Sequence, residues 1–179
     1  MAIDPSRLAA ADLKALAGEA FRHLSPRYDP LSGEGARIGG GRFNPPGSFP
    51  VLYLCRSRAC AVAELRRLGD RQRIGLEGLL PRCLYRFEVV LERVLVLTDE
   101  PTRQQAGLGL DAITGPDWSE CQNLGVVAHA LAIQAIECPS ATGVDEVLAV
   151  FLQNLGVGRL DPGLAEEWDS VADLDGRDP

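Results

Sequence analysis

The sequence contains no apolar run close to the roughly 20 residues that a membrane-spanning helix requires. Its first residues, from Met1 to Pro5, lack both the basic start and the apolar stretch of a secretory signal peptide. The five cysteines include no Cys-x-x-Cys pair, and the two histidines lie far from any pair of cysteines. These absences predict a cytoplasmic protein with reduced thiols and with no membrane association, disulfide or bound metal.

Common nucleotide-binding and hydrolase motifs are also missing. Lys14 is the only lysine, so a phosphate-binding loop of the G-x-x-x-x-G-K-[ST] type cannot occur, and no G-x-S-x-G elbow marks a serine hydrolase. Residues 107–112 match the letters of the dinucleotide fingerprint G-x-G-x-x-A, but polar residues precede them where that fingerprint needs a strand. His129 lies among apolar residues, which is typical of a histidine at the boundary of a core.

The charge of the chain is unevenly distributed. The 179 residues, 46% of them apolar, are enough for one domain with a substantial core. The formal net charge of −7 conceals +7 over residues 22–86, −7 over residues 87–160 and −6 over residues 161–179. Arginine outnumbers lysine seventeen to one, and guanidinium groups suit phosphates, although a GC-rich genome produces the same bias. The basic segment therefore favours a small anionic ligand, whereas the acidic balance and the lack of a basic helix argue against direct nucleic-acid binding.

Local patterns predict the elements of the first half. Asp4 and Pro5 are typical of a helix start, and the Ala/Leu-rich run that follows predicts a helix as far as Gly18. The next predictions are a strand at 20–24, a long loop at 25–41, a strand at 51–54, and a helix that Ser57 caps and that reaches Leu68. A loop of that length is usually functional.

The second half is predicted to contain further strands and the longest helix. The strands are expected at 84–90 and 94–97, joined by a tight turn at Glu92-Arg93, and at 147–152 and 157–160. Asp117, with Glu120 three residues later, opens the longest helical pattern. The irregular order of helices and strands predicts a compact α+β domain over residues 1–160 with mixed twisted sheets, followed by an acidic C-terminal tail over 161–179 that is a weak helix or disordered.

A dense group of chemically informative residues lies between residues 29 and 67. Three glycines at 39–41 allow close approach of the backbone to a ligand, and Pro45-Pro46-Gly47 fixes the turn that follows. Arg42 is therefore expected on a stiff frame, although a tight turn with an exposed arginine is the simpler interpretation.

Glu64 falls at the margin of a buried helical stripe. Ala61, Leu65 and Leu68 define that stripe, so the carboxylate is expected to be half-buried, with a salt bridge to Arg67 as the ordinary alternative. Arg42, Tyr53 and Glu64 arrive on a loop, a strand and the next helix, an order that lets them converge on one cleft.

These residues resemble the RES domain, the toxin half of bacterial Xre-RES toxin–antitoxin pairs. The resemblance runs from residue 21 to residue 160. It rests on Arg22, on the runs Asp-Pro-Leu-Ser-Gly-Glu-Gly-Ala, Gly-Gly-Arg-Phe-Asn-Pro-Pro-Gly and Leu-Tyr-Leu, and on Ala-Glu at 63–64. Gly-Pro-Asp-Trp-Ser-Glu-Cys-Gln at 115–122 and Cys-Pro-Ser-Ala at 138–141 fit the same family. The similarity is strongest to the mycobacterial branch.

The resemblance implies a fold similar to ADP-ribosyltransferases and a toxin that cleaves the nicotinamide–ribose bond of NAD⁺, with phosphate or water as acceptor. It places catalytic residues at Arg42, Tyr53, Glu64 and Ser119, and substrate-binding residues at Arg22, His23, Gly41 and Ser140. Ser119 and Ser140 are alternatives for the serine of the pocket, with Ser119 slightly favoured. Phe43 stands where the family often has Trp, and His23 where a tyrosine can follow the first arginine.

The implied roles follow from charge stabilisation. Arg22 and Arg42 are expected to hold the diphosphate or an incoming phosphate, and Tyr53 to stack on or border the nicotinamide ribose. Glu64 is expected to stabilise the ribosyl cation or to orient the nucleophile, and Ser119 to hydrogen-bond the nicotinamide side or a phosphate. NAD⁺ is then a substrate, inorganic phosphate a second substrate, and no cofactor is expected. The family also implies an Xre-type antitoxin as partner in a hetero-oligomer. A protein ADP-ribosyltransferase and a non-catalytic module that binds a phosphate ligand are the alternative interpretations.

Overall fold

The computed structural model describes residues 3–176. The helices are α1 Pro5–Ala9, α2 Glu34–Gly39, α3 Arg58–Gln72, α4 Leu76–Leu79, α5 Glu100–Ala106, α6 Leu110–Thr114 and α7 Ser119–Ala130. The strands are β1 Lys14–Leu24, β2 Val51–Cys55, β3 Arg82–Val96, β4 Ala135–Pro139, β5 Glu146–Phe151 and β6 Arg159–Trp168. Short 3-10 helices follow β5 at Leu152–Asn154 and β6 at Val171–Asp175. None of the helices within this range is long and apolar enough to cross a membrane.

The strands form a sheet that closes on itself. β1 pairs with β2 and β3, β2 with β5, and β5 with β4, all antiparallel, and a parallel pairing of β4 with β3 completes the ring. β6 extends the sheet by pairing antiparallel with β3. The predicted α+β domain with a mixed, twisted sheet is confirmed.

Alternation along β2 divides the core into two regions. Leu52 and Leu54 pack with Phe87, Leu148 and other strand residues inside the closed sheet. Val51 and Tyr53 point to the opposite face, where they meet the helices α5 to α7. Successive strand residues face opposite sides, so the same short strand supports the sheet interior and lines the functional face.

The helix that follows β2 begins where the sequence predicts. The Ser57 side chain accepts a 3.1 Å hydrogen bond from the Cys60 backbone N–H, as an N-cap residue does. Ala61 and Leu65 are fully buried against the sheet. This helix, α3, has 15 residues and is longer than the 12-residue α7, so the prediction that the longest helix follows Asp117 is wrong.

The first predicted helix is much too long. Asp4 does cap α1, accepting from the Ser6 backbone N–H at 2.9 Å, but the helix ends at Ala9. The chain from Lys14 onward is strand β1, which pairs with β3 along almost its whole length. Tertiary pairing overrides the helical propensity of the Ala/Leu run, and Gly18 lies inside the strand instead of ending a helix.

Two other local predictions are wrong. The expected turn at Glu92-Arg93 does not form, because β3 is one continuous strand and the Gln134 side-chain oxygen accepts from both backbone N–H groups at 2.7 and 3.0 Å. The loop at 25–41 is interrupted by helix α2. At Glu92-Arg93 a partner distant in sequence satisfies the backbone N–H groups, whereas α2 is held by local hydrogen bonds such as that from the Arg37 N–H to the Gly33 carbonyl at 3.0 Å.

The acidic C-terminal segment is also ordered. Residues 161–168 continue β6 past the boundary expected at residue 160, and Trp168 is fully buried. Arg58 on α3 binds the Glu166 carboxylate through two nitrogens, at 2.7 and 2.8 Å, and Arg66 pairs with Asp175 at 2.9 Å. Arginines of the basic segment thus bind the acidic segment. The expectation of a weak helix or disorder is wrong for residues 161–168, which are strand, whereas Val171–Asp175 forms a short 3-10 helix. Residues 177–179 of the expected tail lie outside the described part of the chain.

Candidate active site

A cavity of about 470 Å³ lies between β1, β2, the α3 helix and the start of α7. Seven of the eight predicted site residues line it: Arg22, His23, Gly41, Arg42, Tyr53, Glu64 and Ser140. The volume is within the range of small-molecule sites. The structure therefore brings together residues that lie up to 118 positions apart in the sequence.

Hydrogen bonds of Gly41 and Asn44 fix the glycine turn that carries Arg42. Gly41 and Asn44 form an isolated two-residue bridge through their backbones. Asn44 is completely buried, and its amide donates to the Ala36 carbonyl at 2.7 Å. A Cβ at Gly41 would lie 2.5 Å from the Tyr53 hydroxyl, so only glycine fits there.

Tyr53 is hydrogen-bonded to this turn. Its hydroxyl donates to Oδ1 of Asn44 at 2.8 Å and accepts from the Phe43 backbone N–H at 2.8 Å. Burial raises the pKa of Tyr53 well above its ordinary value, so the hydroxyl stays protonated. Tyr53 lines the cavity, while its hydroxyl oxygen is hydrogen-bonded to the turn.

Arg42 is oriented by the end of α6. Its Nη1 donates to the Gly115 carbonyl at 3.0 Å and to the Ala112 carbonyl at 3.5 Å. Its Nη2 is buried and has no hydrogen-bond partner among the described residues. The guanidinium carbon lies 5.4 Å from the ring centre of Trp118. One side of the guanidinium is thus anchored, and a second donor nitrogen is left without a protein acceptor.

Glu64 and Ser140 form the acidic end of the cavity. The Ser140 hydroxyl donates to Oε1 of Glu64 at 2.8 Å and lies 2.6 Å from the Thr142 hydroxyl. Ser140 is buried, whereas the Glu64 side chain retains 26% exposure, as its predicted place at the stripe margin requires. The salt bridge to Arg67, the ordinary alternative, is also present, with Arg67 Nη1 3.8 Å from the other carboxylate oxygen, beyond hydrogen-bond distance.

The first predicted arginine is used differently. Nη1 of Arg22 donates to the carbonyls of Pro30 and Ser32 at 2.6 and 3.0 Å, so this arginine holds the loop after β1. Its neighbour His23 is buried with Nδ1 lacking a partner among the described residues. Burial, and then the charges of Arg82 and Arg22, lower the pKa of His23 to about 3. The imidazole is therefore neutral at physiological pH.

Ser119 is the one predicted residue outside the cavity lining. It is exposed in the first turn of α7, and its backbone N–H donates to Oδ1 of Asp117 at 2.9 Å. Its neighbour Trp118 does line the cavity. The structure thus places Ser140, the less favoured serine, beside Glu64, while a role for Ser119 stays a prediction.

Sequence reasoning missed three residues of this cavity as site residues. Arg67 and Arg71 line it from α3, and Trp118 lines it ahead of α7. Helical spacing was the available signal for the arginines, because positions three and seven residues after Glu64 lie on its face of the helix. Trp118 was part of a recognised motif, but nothing in its local pattern separated a site residue from a core aromatic.

His129 and the glycine fingerprint at 107–112 are absent from the cavity lining, whereas Cys55 and Cys138 belong to it. The His129 ring stacks on Phe49 with centroids 3.9 Å apart, and Nε2 lies 3.0 Å from Oε1 of Gln153. Gly107 and Gly109 connect α5 to α6, so no strand leads into the glycine fingerprint. All five cysteines are unpaired and buried.

A closed α+β domain whose cavity holds a carboxylate beside a serine, together with an anchored arginine, has the features of a small-molecule enzyme site. The family model of the RES domain matches residues 17–169, and the chain belongs to this family.

Particular relatives agree with that assignment. The chain is 37% identical over 142 residues to the NAD(+) phosphorylase MbcT of Mycobacterium tuberculosis and of Mycobacterium bovis, covering 78% of this chain and 76% of each relative. It also superimposes on a chain in the crystal structure of the M. tuberculosis MbcT–MbcA toxin–antitoxin complex, with a TM-score of 0.79 and 32% identity. That match covers 92% of this chain and 91% of the other.

Proposed function

We propose that this protein is the toxin of a toxin–antitoxin pair and that it cleaves the nicotinamide–ribose bond of NAD⁺, with inorganic phosphate as acceptor. The observation that carries the proposal is the placement of the Glu64–Ser140 pair and the anchored Arg42 in the wall of one cavity. Its support from relatives is the similarity to proteins named NAD(+) phosphorylase.

The chemistry requires little more than charge stabilisation. The bond between C1′ of the ribose and the nicotinamide nitrogen breaks, and its electron pair leaves with nicotinamide, which becomes neutral. The ribose acquires oxocarbenium character, and a phosphate oxygen then bonds to this same carbon, which is C1″ in the numbering of ADP-ribose, to give ADP-ribose 1″-phosphate. No general acid is needed for the leaving group, so a carboxylate near the ribosyl carbon is the group most useful for catalysis.

Glu64 supplies that carboxylate in our proposal. The Ser140 hydroxyl fixes one carboxylate oxygen, which reduces the reorganisation needed as positive charge develops. Among the residues that the structure describes, the second oxygen has only the 3.8 Å ion pair with Arg67, and it can face the substrate.

Arg42 is proposed to hold the acceptor phosphate. Its Nη2 lacks a protein acceptor, and a charge-assisted hydrogen bond to phosphate would satisfy it. The ring of Tyr53 would border the nicotinamide ribose, while its hydroxyl maintains the turn that presents Arg42. Arg22 would act on the substrate through the loop that it holds.

The proposed partner is an antitoxin of the Xre type, in a hetero-oligomer that keeps the toxin inactive. The support is the structural similarity to a chain in a toxin–antitoxin complex. Contact with DNA would then belong to the partner, in keeping with the net charge of −7. The proposal places the protein in the cytoplasm and requires no cofactor.

The test is NAD⁺ consumption by the purified chain, with and without inorganic phosphate, with the products identified by mass. Glu64→Gln is expected to fold normally and to lose activity by about 10²-fold or more, as removal of a main electrostatic group does. Glu77→Gln, an exposed carboxylate on α4, is the matched control.

Each outcome decides between specific alternatives. Phosphate-dependent release of nicotinamide that Glu64→Gln abolishes supports a phosphorylase. Nicotinamide release that does not require phosphate would show that water is the acceptor. Transfer of label to protein would show that a protein side chain is the acceptor. A folded wild-type chain without turnover contradicts the enzyme proposal and favours a binding module.

A further inference from the structure

Among the described residues, four arginine side chains line the cavity, and their hydrogen bonds separate them into two groups. Arg22 and Arg42 each use Nη1 on backbone carbonyls, at Pro30 and Ser32 for the first and at Gly115 for the second. In each of these two arginines, Nη1 is therefore occupied by hydrogen bonds within the protein. Arg67 and Arg71 line the same cavity, and within residues 3–176 neither donates a hydrogen bond to a backbone carbonyl. Arg67 forms an ion pair with Glu64 at 3.8 Å.

The position of this second group follows from α3. Glu64, Arg67 and Arg71 occur at i, i+3 and i+7, and all line the cavity, so the helix presents them as one row. With a rise of about 1.5 Å per residue, Arg71 lies roughly 10 Å along the axis from Glu64. In a dinucleotide whose ribosyl carbon is at Glu64, the diphosphate is one ribose away, a separation that this row spans.

Trp118 gives Arg71 a defined orientation. The guanidinium carbon lies 4.7 Å from the centre of the Trp118 ring. Stacking occupies the face of a guanidinium and leaves its N–H donors available in the plane, where a bidentate contact with phosphate oxygens forms. Arg71 is exposed, so these donors can be reached from solvent.

We propose that Arg67 and Arg71 form the diphosphate-binding subsite of this cavity, with Trp118 as the platform that orients Arg71. The inference rests on the proposed function for the identity of the substrate. It adds which residues bind the anionic diphosphate of that substrate. It assigns the diphosphate to α3, and it leaves Arg22 as the residue that holds the loop and Arg42 as the contact for the acceptor phosphate.

The test compares Arg71→Gln with Arg66→Gln. Arg66 lies on the same helix, but its guanidinium pairs with Asp175 and is absent from the cavity lining, so its variant controls for loss of one positive charge. Arg71→Gln is expected to raise the KM for NAD⁺ about tenfold, the effect of losing one charge-assisted contact. The KM for phosphate and kcat should change less than about twofold, and Arg71→Lys should recover only part of the loss, because lysine lacks the planar fork.

Direct binding keeps this inference separate from the proposed reaction. Calorimetric titration with ADP, which carries the diphosphate but no nicotinamide, is expected to give a Kd about tenfold weaker for Arg71→Gln and unchanged for Arg66→Gln. If wild-type ADP binding depends on Arg71 but NAD⁺ is not consumed, the subsite stands and the proposed reaction fails. The subsite is refuted if Arg71→Gln binds ADP like the wild type, or if its defect is confined to the KM for phosphate.

Discussion

The hydroxyl of Ser140, just after β4, donates a 2.8 Å hydrogen bond to the carboxylate of Glu64 on α3. The two residues are 76 positions apart, so this contact exists only because the closed sheet brings the end of β4 to the third helix. Ser140 is itself fixed by Thr142, whose backbone N–H donates to the same hydroxyl oxygen at 3.0 Å. The orientation of the proposed catalytic carboxylate thus depends on a rigid turn in another part of the chain.

The first prediction concerns the two candidate serines. Ser140→Ala removes the hydroxyl donor of Glu64 and is expected to lower kcat about tenfold or more, the equivalent of one hydrogen bond to a charged group. Ser119→Ala, at an exposed position outside the cavity lining, is expected to have a smaller effect. Steady-state kinetics of both variants would show which serine serves the site, and a larger defect in Ser119→Ala would reverse our assignment.

The second prediction concerns the glycine turn. Gly41→Ala places a methyl group against the Tyr53 hydroxyl, which cannot move away without breaking its bonds to Asn44 and Phe43. We expect the free energy of unfolding to fall by about 1–3 kcal/mol, as in overpacked sites.

Gly39→Ala is the matched control for that change, because a Cβ at Gly39 meets nothing within 4 Å. It should leave stability unchanged or slightly raised, since alanine is the better helix former. Urea unfolding of both variants measures the difference. Equal stabilities of the two variants would contradict the contact between Gly41 and Tyr53.

The third prediction is a pH dependence that originates at His23. The pKa of His23 is lowered from 6.5 to about 3, so the unfolded chain binds a proton on this ring at mildly acidic pH while the folded chain does not. Stability contributed by the neutral imidazole is therefore present above pH 6.5 and is lost as the pH falls toward 3, by several kcal/mol in total.

His23→Gln removes that proton-binding group. Unfolding free energies measured at intervals between pH 7 and pH 4 should fall less steeply for His23→Gln than for the wild type. Parallel curves would assign the acid sensitivity to carboxylates elsewhere in the protein.

The fourth prediction concerns the attachment of the C-terminal segment. A double-mutant cycle on Arg58 and Glu166 is expected to give a coupling of about 1 kcal/mol, because the contact is bidentate but partly exposed to solvent. Arg58 lowers the pKa of Glu166, so this contribution is present above the ordinary carboxyl pKa and is lost as the pH falls from there through the lowered pKa of the folded state.

Arg66 and Asp175 provide the matched comparison for that cycle. Their ion pair is more exposed, and we expect its coupling to be at most about 0.5 kcal/mol. Proteolysis near residues 170–176 should increase in Glu166→Gln and much less in Asp175→Asn. Equal protease sensitivity of these two variants would show that burial of Trp168 and Leu174, not the ion pair, holds the segment.

Features that depend on neighbouring residues were predictable from the sequence. Asp4 and Ser57 cap the helices that they were expected to cap, because an N-cap needs only its own side chain and the next turn. The half-buried position of Glu64 followed from helical spacing alone. The strand at 51–54 was recognisable from its apolar pattern and became β2.

Features that depend on distant partners were not predictable in the same way. The run before Gly18 has helical composition, yet it forms β1 because β3 offers it a complete set of backbone partners. Glu92-Arg93 has the appearance of a turn, yet Gln134 satisfies its N–H groups and the strand continues. Acidic residues after 160 suggest a solvated tail until the arginines of α3 are found beside them.

The sequence by itself determined the family, the motifs and seven of the residues that line the cavity, because these reside in the identity and local order of side chains. Only the tertiary structure decided which atoms of those residues are free to act. Arg22 and the Tyr53 hydroxyl make hydrogen bonds with the surrounding protein, while Ser140 meets Glu64, and Arg67 and Arg71 line the cavity. A polar group either forms hydrogen bonds within the protein or is available to a ligand. Which of the two applies depends on neighbouring residues that are distant in the sequence.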